Sequence, residues 1–372
     1  MNRLALIHFH PIELYPPIQN LIRFIESKNE NIQIDIYTTN TKKKVPPFIT
    51  NDKRIRIRRF GTSGLNFSTL KRYYNYFNFY FLTTLLIGSR KPNNVLYFDT
   101  ISSFPAYLVK RFFRSKTRIF IHYHEYISPE ELQKGMKLVR YFHSKEIELY
   151  FDAIWVSHTN EKRMEDFQKD LYPLLITNPE ILPNYPPSSW LRSPIKNISS
   201  PLKMVTLGAL SLDTMYVDLF SKWIIEQKGK VTWDIYSLNI SKDVILYLKN
   251  LNSTLINISP GIAYEEVPKV LKNFQIGVIL YKGVIPNHIN VIPNKLFEYL
   301  ICGLDVWFPK EMTGSYSEIT SNTYPKVIKI DFNKLDEIHL NNLTDRQGYT
   351  LKQGDNFYEK IYTKIWDRIV IQ

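Results

Sequence analysis

An α/β fold of two parallel-sheet domains is predicted by three features of the 372-residue chain. Short β-type runs alternate with helix-type segments along its whole length. The alternation lapses once, across residues 178–201, where Pro179, Pro183, Pro186, Pro187, Pro194 and Pro201 crowd together. The length, at roughly 100 to 200 residues per domain, suits two ordinary cores better than one very large core.

In the first half, residues 4–9, 32–37, 94–98, 118–122 and 153–156 read as strands because each is a short apolar run between turn residues. Residues 16–27 follow the first strand as its helix, and 66–88, 102–113, 130–150 and 159–169 are long enough for crossover helices. After the proline-rich stretch, residues 203–207, 232–236, 254–258, 276–280, 305–308 and 327–330 resume the strand pattern. The end of the chain, 349–370, carries Phe357, Ile361, Ile365 and Ile369 at helical spacing with no strand after them. The expected organisation is a domain over 1–178, a linker over 179–201, a second domain over 202–348, and a C-terminal helix in 349–372 that packs back on the first domain.

Composition narrows the function. Hydrophobic residues make up 44% and aromatics 14%, which excludes a disordered or fibrous chain. Cys302 is the one cysteine, and no Cys/His spacing matches a zinc cage, so disulfide scaffolds and zinc fingers are excluded. The N-terminus carries one arginine and a short apolar run that meets His8 and His10, too short and too polar for a signal peptide, so a cytoplasmic location is expected. The 48 basic residues exceed the 35 acidic ones by 13, which points to a phosphate-bearing partner: nucleic acid, anionic lipid or nucleotide. Much of this excess lies between residues 42 and 118, in the first domain.

The most informative segment runs from Pro293 to Val306. Proline at helix entry and Gly303 at helix exit predict one short helix, about eight to ten residues long. Leu296, Phe297, Leu300 and Ile301 cover most of its circumference, leaving Lys295, Glu298 and Cys302 as a narrow stripe. A carboxylate there needs partners, which water, Lys295 or two adjacent sugar hydroxyls can supply. A partly exposed ion pair of Lys295 with Glu298 is the plain structural alternative.

Asn294-Lys295-Leu296-Phe297-Glu298-Tyr299-Leu300 with Gly303 and Val306 resembles the nucleotide-sugar-binding helix of GT-B glycosyltransferases, in particular those similar to family 4. Other landmarks follow in order. Residues 206–211, TLGALS, resemble the glycine-containing loop that opens the second domain of such enzymes. Pro260-Gly261 with 264–271 resembles the later loop and helix near the base, and 276–281 resembles the strand before the donor loop.

The resemblance implies two Rossmann-like domains facing across a cleft, and transfer of a sugar, of the hexosyltransferase type, from a nucleotide diphosphate sugar. It implies Glu298 on the ribose hydroxyls, and Lys295, Asn294, Gly208 and Ser211 at the diphosphate. A helix N-terminus and a lysine can stabilise a leaving diphosphate, so no metal and no cofactor are expected. Two departures stand out. The position eight residues before Glu298, often glutamate in the family, is Asn290, which becomes the expected donor-sugar contact. No basic residue directly follows Ser211, so Lys282 is expected to share the diphosphate with Lys295.

In the first domain, strand 118–122 runs into His124 and Glu125, and ligands of open α/β sheets gather outside the carboxyl ends of strands. The resemblance implies that His124, then Glu125, are the catalytic pair facing the transferred sugar or acceptor. A strand-capping histidine, or a metal pair of His122 with His124, are alternatives from the residues themselves. The loop after the first strand has no glycine-rich phosphate fingerprint, and His10, Glu13 and Tyr15 are its candidates for acceptor contact; a plain helix-entry loop is the alternative.

Residues 72–91 are dense in aromatics with basic residues at both ends, and Asn75 and Asn78 break the apolar run below the roughly 20 residues that span a bilayer. An interfacial helix on an anionic membrane face, or a buried crossover helix, both fit. Stacking of nucleic-acid bases on Tyr73, Tyr74, Tyr76 and Phe77 leaves the second domain unexplained, and no nucleic-acid partner is expected. The functional expectation is a peripheral enzyme of the inner membrane face that glycosylates a glycan or lipid-linked acceptor in bacterial surface polysaccharide or glycolipid synthesis. The rival is a GT-B-like binding or scaffold subunit without chemistry.

Overall fold

The computed structural model describes residues 2–43, 45–64, 67–113, 116–171, 179–193, 200–340, 348–352 and 354–371. The chain forms two compact units, Met1–Pro183 with Tyr358–Gln372, and Asn184–Phe357.

Among its described residues unit 1 holds seven parallel strands: β1 (Asn2–Ile7), β2 (Ile32–Asn40), β3 (Ile55–Thr62), β4 (Asn94–Phe98), β5 (Arg118–Tyr123), β6 (Ala153–His158) and β7 (Glu180–Ile181). Their order is β3-β2-β1-β4-β5-β6-β7. The strands are linked through α1 (Pro16–Glu26), α2 (Thr69–Arg90), α3 (Ser103–Phe113), α4 (Pro129–Lys134), α5 (Lys137–Tyr150) and α6 (Glu161–Leu171). The apolar runs of β1, β4 and β5 are almost wholly buried because helices cover both faces of a parallel sheet.

Unit 2 repeats the plan with β8 (Leu202–Leu207), β9 (Val231–Ser237), β10 (Ile256–Pro260), β11 (Ile276–Val278), β12 (Asp305–Pro309) and β14 (Val327–Ile330), in the order β10-β9-β8-β11-β12-β14. A short parallel pair, β13 (Thr323–Tyr324) with β15 (Thr350–Leu351), stands apart. The helices are α7 (Val217–Glu226), α8 (Lys242–Asn250), α9 (Val267–Leu271), α10 (Pro286–Ile289) and α11 (Asn294–Ile301). In both sheets the strand order reverses beside the first strand, at β1/β4 and at β8/β11. Such switch points leave crevices at the carboxyl ends where ligands bind in doubly wound folds.

Several expectations change. The strand β3 was not anticipated: its alternation of isoleucine with Arg56 and Arg58 reads as basic surface, yet it pairs with β2 as the edge of the sheet. Residues 179–201 were expected to form a linker. Of those described, Glu180–Ile181 pair with β6, and Trp190 is buried in unit 2 against Tyr264. Proline bars helix from this stretch but not an extended edge or a packed loop. Residues 172–178 and 194–199, at the expected boundaries, lie outside the described residues.

The C-terminal helix Tyr358–Val370 starts later than the stretch expected from 349, which carries the poor helix former Gly354. Its buried face is Tyr358, Tyr362, Ile365, Trp366 and Ile369, one position off the anticipated stripe at its first two turns. It packs on α1 within unit 1, where the Tyr362 hydroxyl donates to the Pro17 carbonyl at 3.1 Å and Asn94 donates to the Ile369 carbonyl at 3.1 Å.

The basic excess of unit 1 is partly consumed internally. Arg58 and Arg90 both meet Asp35, Arg54 meets Asp52, and Lys110 meets Asp152. By contrast α2 turns an apolar face outward: Leu70, Tyr74, Phe77, Phe81 and Leu85 recur every three or four residues and are all exposed, with Tyr73 beside them. No helix among the described residues is long and apolar enough to cross a membrane.

Candidate functional site

In unit 2 the chain leaves β8 at Leu207 and turns through Gly208 at φ +110°, a conformation that favours glycine. The turn is pinned from two sides, by Gly208 N–H donating to the Tyr236 carbonyl at 3.0 Å and Leu207 N–H donating to the Tyr299 hydroxyl at 2.9 Å. Tyr299 belongs to α11, so the same bond fixes that helix to the end of β8. A Cβ placed on Gly208 would stand 4.0 Å from Cε of Lys295. The bare backbone of the loop and the Lys295 side chain therefore share one place at the switch point, beside a small cavity of about 30 Å³.

Glu298 lies one turn further along α11 and is 1% exposed. Lys295 Nζ donates to its Oε2 at 2.7 Å, while Oε1 is buried with no hydrogen-bond partner among the described residues. The ion pair of the plain alternative exists, but it satisfies only half of the carboxylate. A buried acceptor left unsatisfied costs about 1–3 kcal/mol, and more for a charged group, so Oε1 calls for a donor. Cys302, read as part of the same stripe, is instead buried with its Sγ against the Trp190 carbonyl.

The other donor-side candidates divide. Asn294 is the first residue of α11, and Pro293 precedes it as the cap. Ser211 Oγ accepts from Thr214 N–H at 3.4 Å and shapes the loop after β8. Asn290 is buried, its backbone packed where Gly314 has no Cβ. Lys282 is committed locally: Nζ donates to the Leu212 carbonyl at 2.7 Å and lies 3.7 Å from Asp218.

In unit 1 the ends of β1, β4 and β5 bring together His8, His10, Tyr15, Asp99 and His124. Asp99 sits at φ +58°, an unusual backbone conformation for a residue with a side chain. Its Oδ1 accepts from the His124 N–H at 2.8 Å and the Glu125 N–H at 3.4 Å, and its Oδ2 faces His124 Nδ1 at 3.1 Å. Burial alone would raise the Asp99 carboxyl, but His124 and its hydrogen bonds, with His8 adding, hold it well below the usual carboxylate range.

Pairing with a carboxylate places the proton of His124 on Nδ1 and leaves Nε2 as an acceptor, buried and without a partner among the described residues. Arg163 steadies the loop by donating to the His124 carbonyl at 2.6 Å. His8 repeats the pattern, with Nδ1 on the His10 carbonyl at 2.7 Å and a buried, unpartnered Nε2. Burial, with His124 and His10 adding, pushes the His8 ring well below the ordinary histidine range. Tyr15 stacks on His10 with ring centroids 5.2 Å apart. His8, Asp99 and His124 each offer a ligand atom within 4.8 Å of the others. With both Asp99 oxygens already engaged, the geometry reads as a histidine–carboxylate dyad with a second histidine beside it.

Glu13 stands apart from this group, and His122 meets it ring to ring, its centroid 4.9 Å from that of His124. Glu13 is tied to Arg59 at 2.6 Å and to the Phe48 N–H at 3.1 Å. His122 Nδ1 meets the Ser157 hydroxyl at 2.9 Å, which removes it from a pairing with His124 through that atom. Glu125 is exposed at the loop. Asp99 and His8 were missed from sequence; the signal for Asp99 was a lone acid immediately after a predicted strand.

No family model and no curated protein sequence matches the chain. Solved structures do. Sucrose-phosphate synthase from Thermosynechococcus elongatus matches with a TM-score of 0.67 at 12% identity, over 99% of this chain and 96% of that one. The Anabaena protein HepE, in complex with UDP and glucose, matches at 0.66 and 11% over the whole of both chains. The chain has the GT-B fold. A third such structure, apo lipopolysaccharide outer core galactosyltransferase WaaB, matches at 0.62 and 14%, over 98% of this chain and 99% of that one. These identities make the likeness one of architecture, two Rossmann-like domains in one chain.

Proposed function

We propose that the chain is a glycosyltransferase that moves a sugar from a nucleotide diphosphate sugar to a glycan or lipid-linked acceptor, in the assembly of surface polysaccharide or glycolipid. The observation that carries this reading is the buried, unpartnered Oε1 of Glu298 beside Lys295 and the Gly208 turn. A ribose offers two adjacent hydroxyls, one for each carboxylate oxygen, and the diphosphate then falls toward Lys295 and the N-terminus of α11. Those groups supply the positive charge that a departing diphosphate demands, so a metal is not part of the reading. Asn290, Ser211 and Asn294 stand as secondary contacts, and Lys282 as a charge held one step back. That a fold neighbour was solved with UDP and glucose agrees with such a donor.

In unit 1, His124 is the group that meets the acceptor hydroxyl. Its free Nε2 can accept the hydroxyl proton, and Asp99 stabilises the resulting cation. His10 and Tyr15 stand beside it for the acceptor, with Glu125 at the loop edge. The exposed aromatic face of α2, edged by Lys71 and Arg72, fits the headgroup boundary of an anionic bilayer and supports a reading in which the enzyme works at the cytoplasmic membrane surface.

The test is a thermal-shift screen of the full chain against UDP, GDP, ADP, CMP and dTDP conjugates, followed by a transfer or hydrolysis assay with whichever one stabilises it. Stabilisation of about 2.7 kcal/mol is expected at a hundredfold excess over Kd. Asp99→Asn is expected to keep that stabilisation and lose turnover. A chain that no conjugate stabilises and that turns none over is a GT-B-like scaffold.

A further inference from the structure

Beneath the His124 loop, unit 1 encloses a cavity of about 400 Å³. One end is polar, formed by His10, Tyr15, Asp99, His124 and Glu125. The rest is apolar. Tyr126, Phe167 and Leu171 form its buried wall, and Leu132 of α4 with Met136 and Val139 at the start of α5 close it from outside. Of the polar side chains at this far end, Asp170 accepts from the Tyr126 hydroxyl and His143 faces Glu146 at 3.6 Å, while both ring nitrogens of His158 are buried without a partner among the described residues.

The rim leads onward. Ile127 and Met136 are exposed at the mouth, and the Met136 sulfur lies 3.4 Å from Arg72 Nη2 and 3.9 Å from the Tyr76 hydroxyl, both on α2. The apolar lining of the cavity therefore continues past Met136 to the helix whose outward face carries Tyr73, Tyr74 and Phe77.

A volume of this size is that of a small-molecule site. A hydroxyl-rich sugar would find few partners along its wall and would bury polar groups unpaired. An aliphatic chain gains about fourfold in affinity for each methylene it buries there. We propose that this cavity holds the aliphatic segment of a lipid-bearing acceptor, with the acceptor's hydroxyl end at His124 and the remainder of the chain leaving past Met136 toward α2. The proposal rests on the glycosyltransferase reading for the word acceptor, but the site itself is defined by unit 1 alone.

The experiment titrates the full chain, without nucleotide, with n-hexyl, n-octyl and n-decyl β-glucosides below their micelle concentrations, and with glucose. Affinity is expected to rise about fifteenfold with each pair of added carbons that the cavity buries, and to be undetectable for glucose. Leu132→Trp and Val139→Trp, which fill the cavity from two elements, are each expected to weaken octyl glucoside at least tenfold. A diazirine-bearing alkyl glucoside reads the site in the unmodified chain and is expected to label residues 126–139. Equal binding of glucose and octyl glucoside, unchanged affinity in both folded variants, or label confined to the outer face of α2 would each overturn the proposal. Tail-dependent binding in a chain that ignores every nucleotide sugar would leave the cavity standing and remove the transferase reading; the converse would do the opposite.

Discussion

His158 offers a quantitative test of how unit 1 is built. It ends β6, is 1% exposed, and neither ring nitrogen has a hydrogen-bond partner among the described residues. It lies between Tyr123, stacked at 4.9 Å, and Phe167, at 4.6 Å. Burial, with Arg163 adding, pushes the ring from its ordinary 6.5 to about 3. The folded value is depressed, so below 6.5 the unfolded chain binds a proton that the native chain refuses, and stability falls as the pH drops toward 3. The slope from this one group is about 1.4 kcal/mol per pH unit, which amounts to about 2 kcal/mol between pH 8 and pH 5.

His158→Phe keeps the volume and removes the titration. Urea unfolding of the full chain at both pH values, with the unit 1 transition followed by hydrogen-exchange mass of peptides spanning β5, gives the difference directly. The variant is expected to lose about 2 kcal/mol less than the parent between the two pH values. His8 and His122, also lowered by burial, steepen the acid limb of both proteins equally and cancel in the comparison. An identical pH dependence in the two proteins would refute the placement of His158 as a buried neutral ring.

Two further outcomes are expected. Gly277→Ala puts a Cβ 2.1 Å from the Tyr299 ring, so overpacking should cost about 1–3 kcal/mol and loosen the bond that pins the Gly208 turn; unchanged urea stability would contradict the packing of α11 on β11. In sedimentation with vesicles, Tyr73→Ser combined with Phe77→Ser should cut binding to anionic vesicles about tenfold, and added salt should weaken the parent's binding; equal binding of parent and variant would contradict the membrane role of α2.

The strands and crossovers were legible because the chemistry that forms them is local. An apolar run such as β4, between turn residues, reads as strand wherever it lies, and Pro293 with Gly303 bracket α11 by backbone geometry alone. Glu298 was legible for the same reason: a lone acid on an otherwise apolar helix needs a partner. What the sequence hides is pairing at a distance. Arg58 and Arg90 look like free surface charge until β2 brings Asp35 to both of them. Glu13 looks available until the edge strand β3 supplies Arg59. Asp99 and His124 are 25 positions apart, and only the parallel register of β4 with β5 sets them side by side.

The sharpest single measurement compares Kd values of the nucleoside diphosphate that stabilises the chain and its 2′,3′-dideoxy analogue, for the parent and for Glu298→Gln. If the buried carboxylate grips the ribose diol, the analogue binds the parent at least tenfold more weakly, while Glu298→Gln distinguishes the two ligands far less. Equal affinity of the parent for both ligands would show that this acid holds something else.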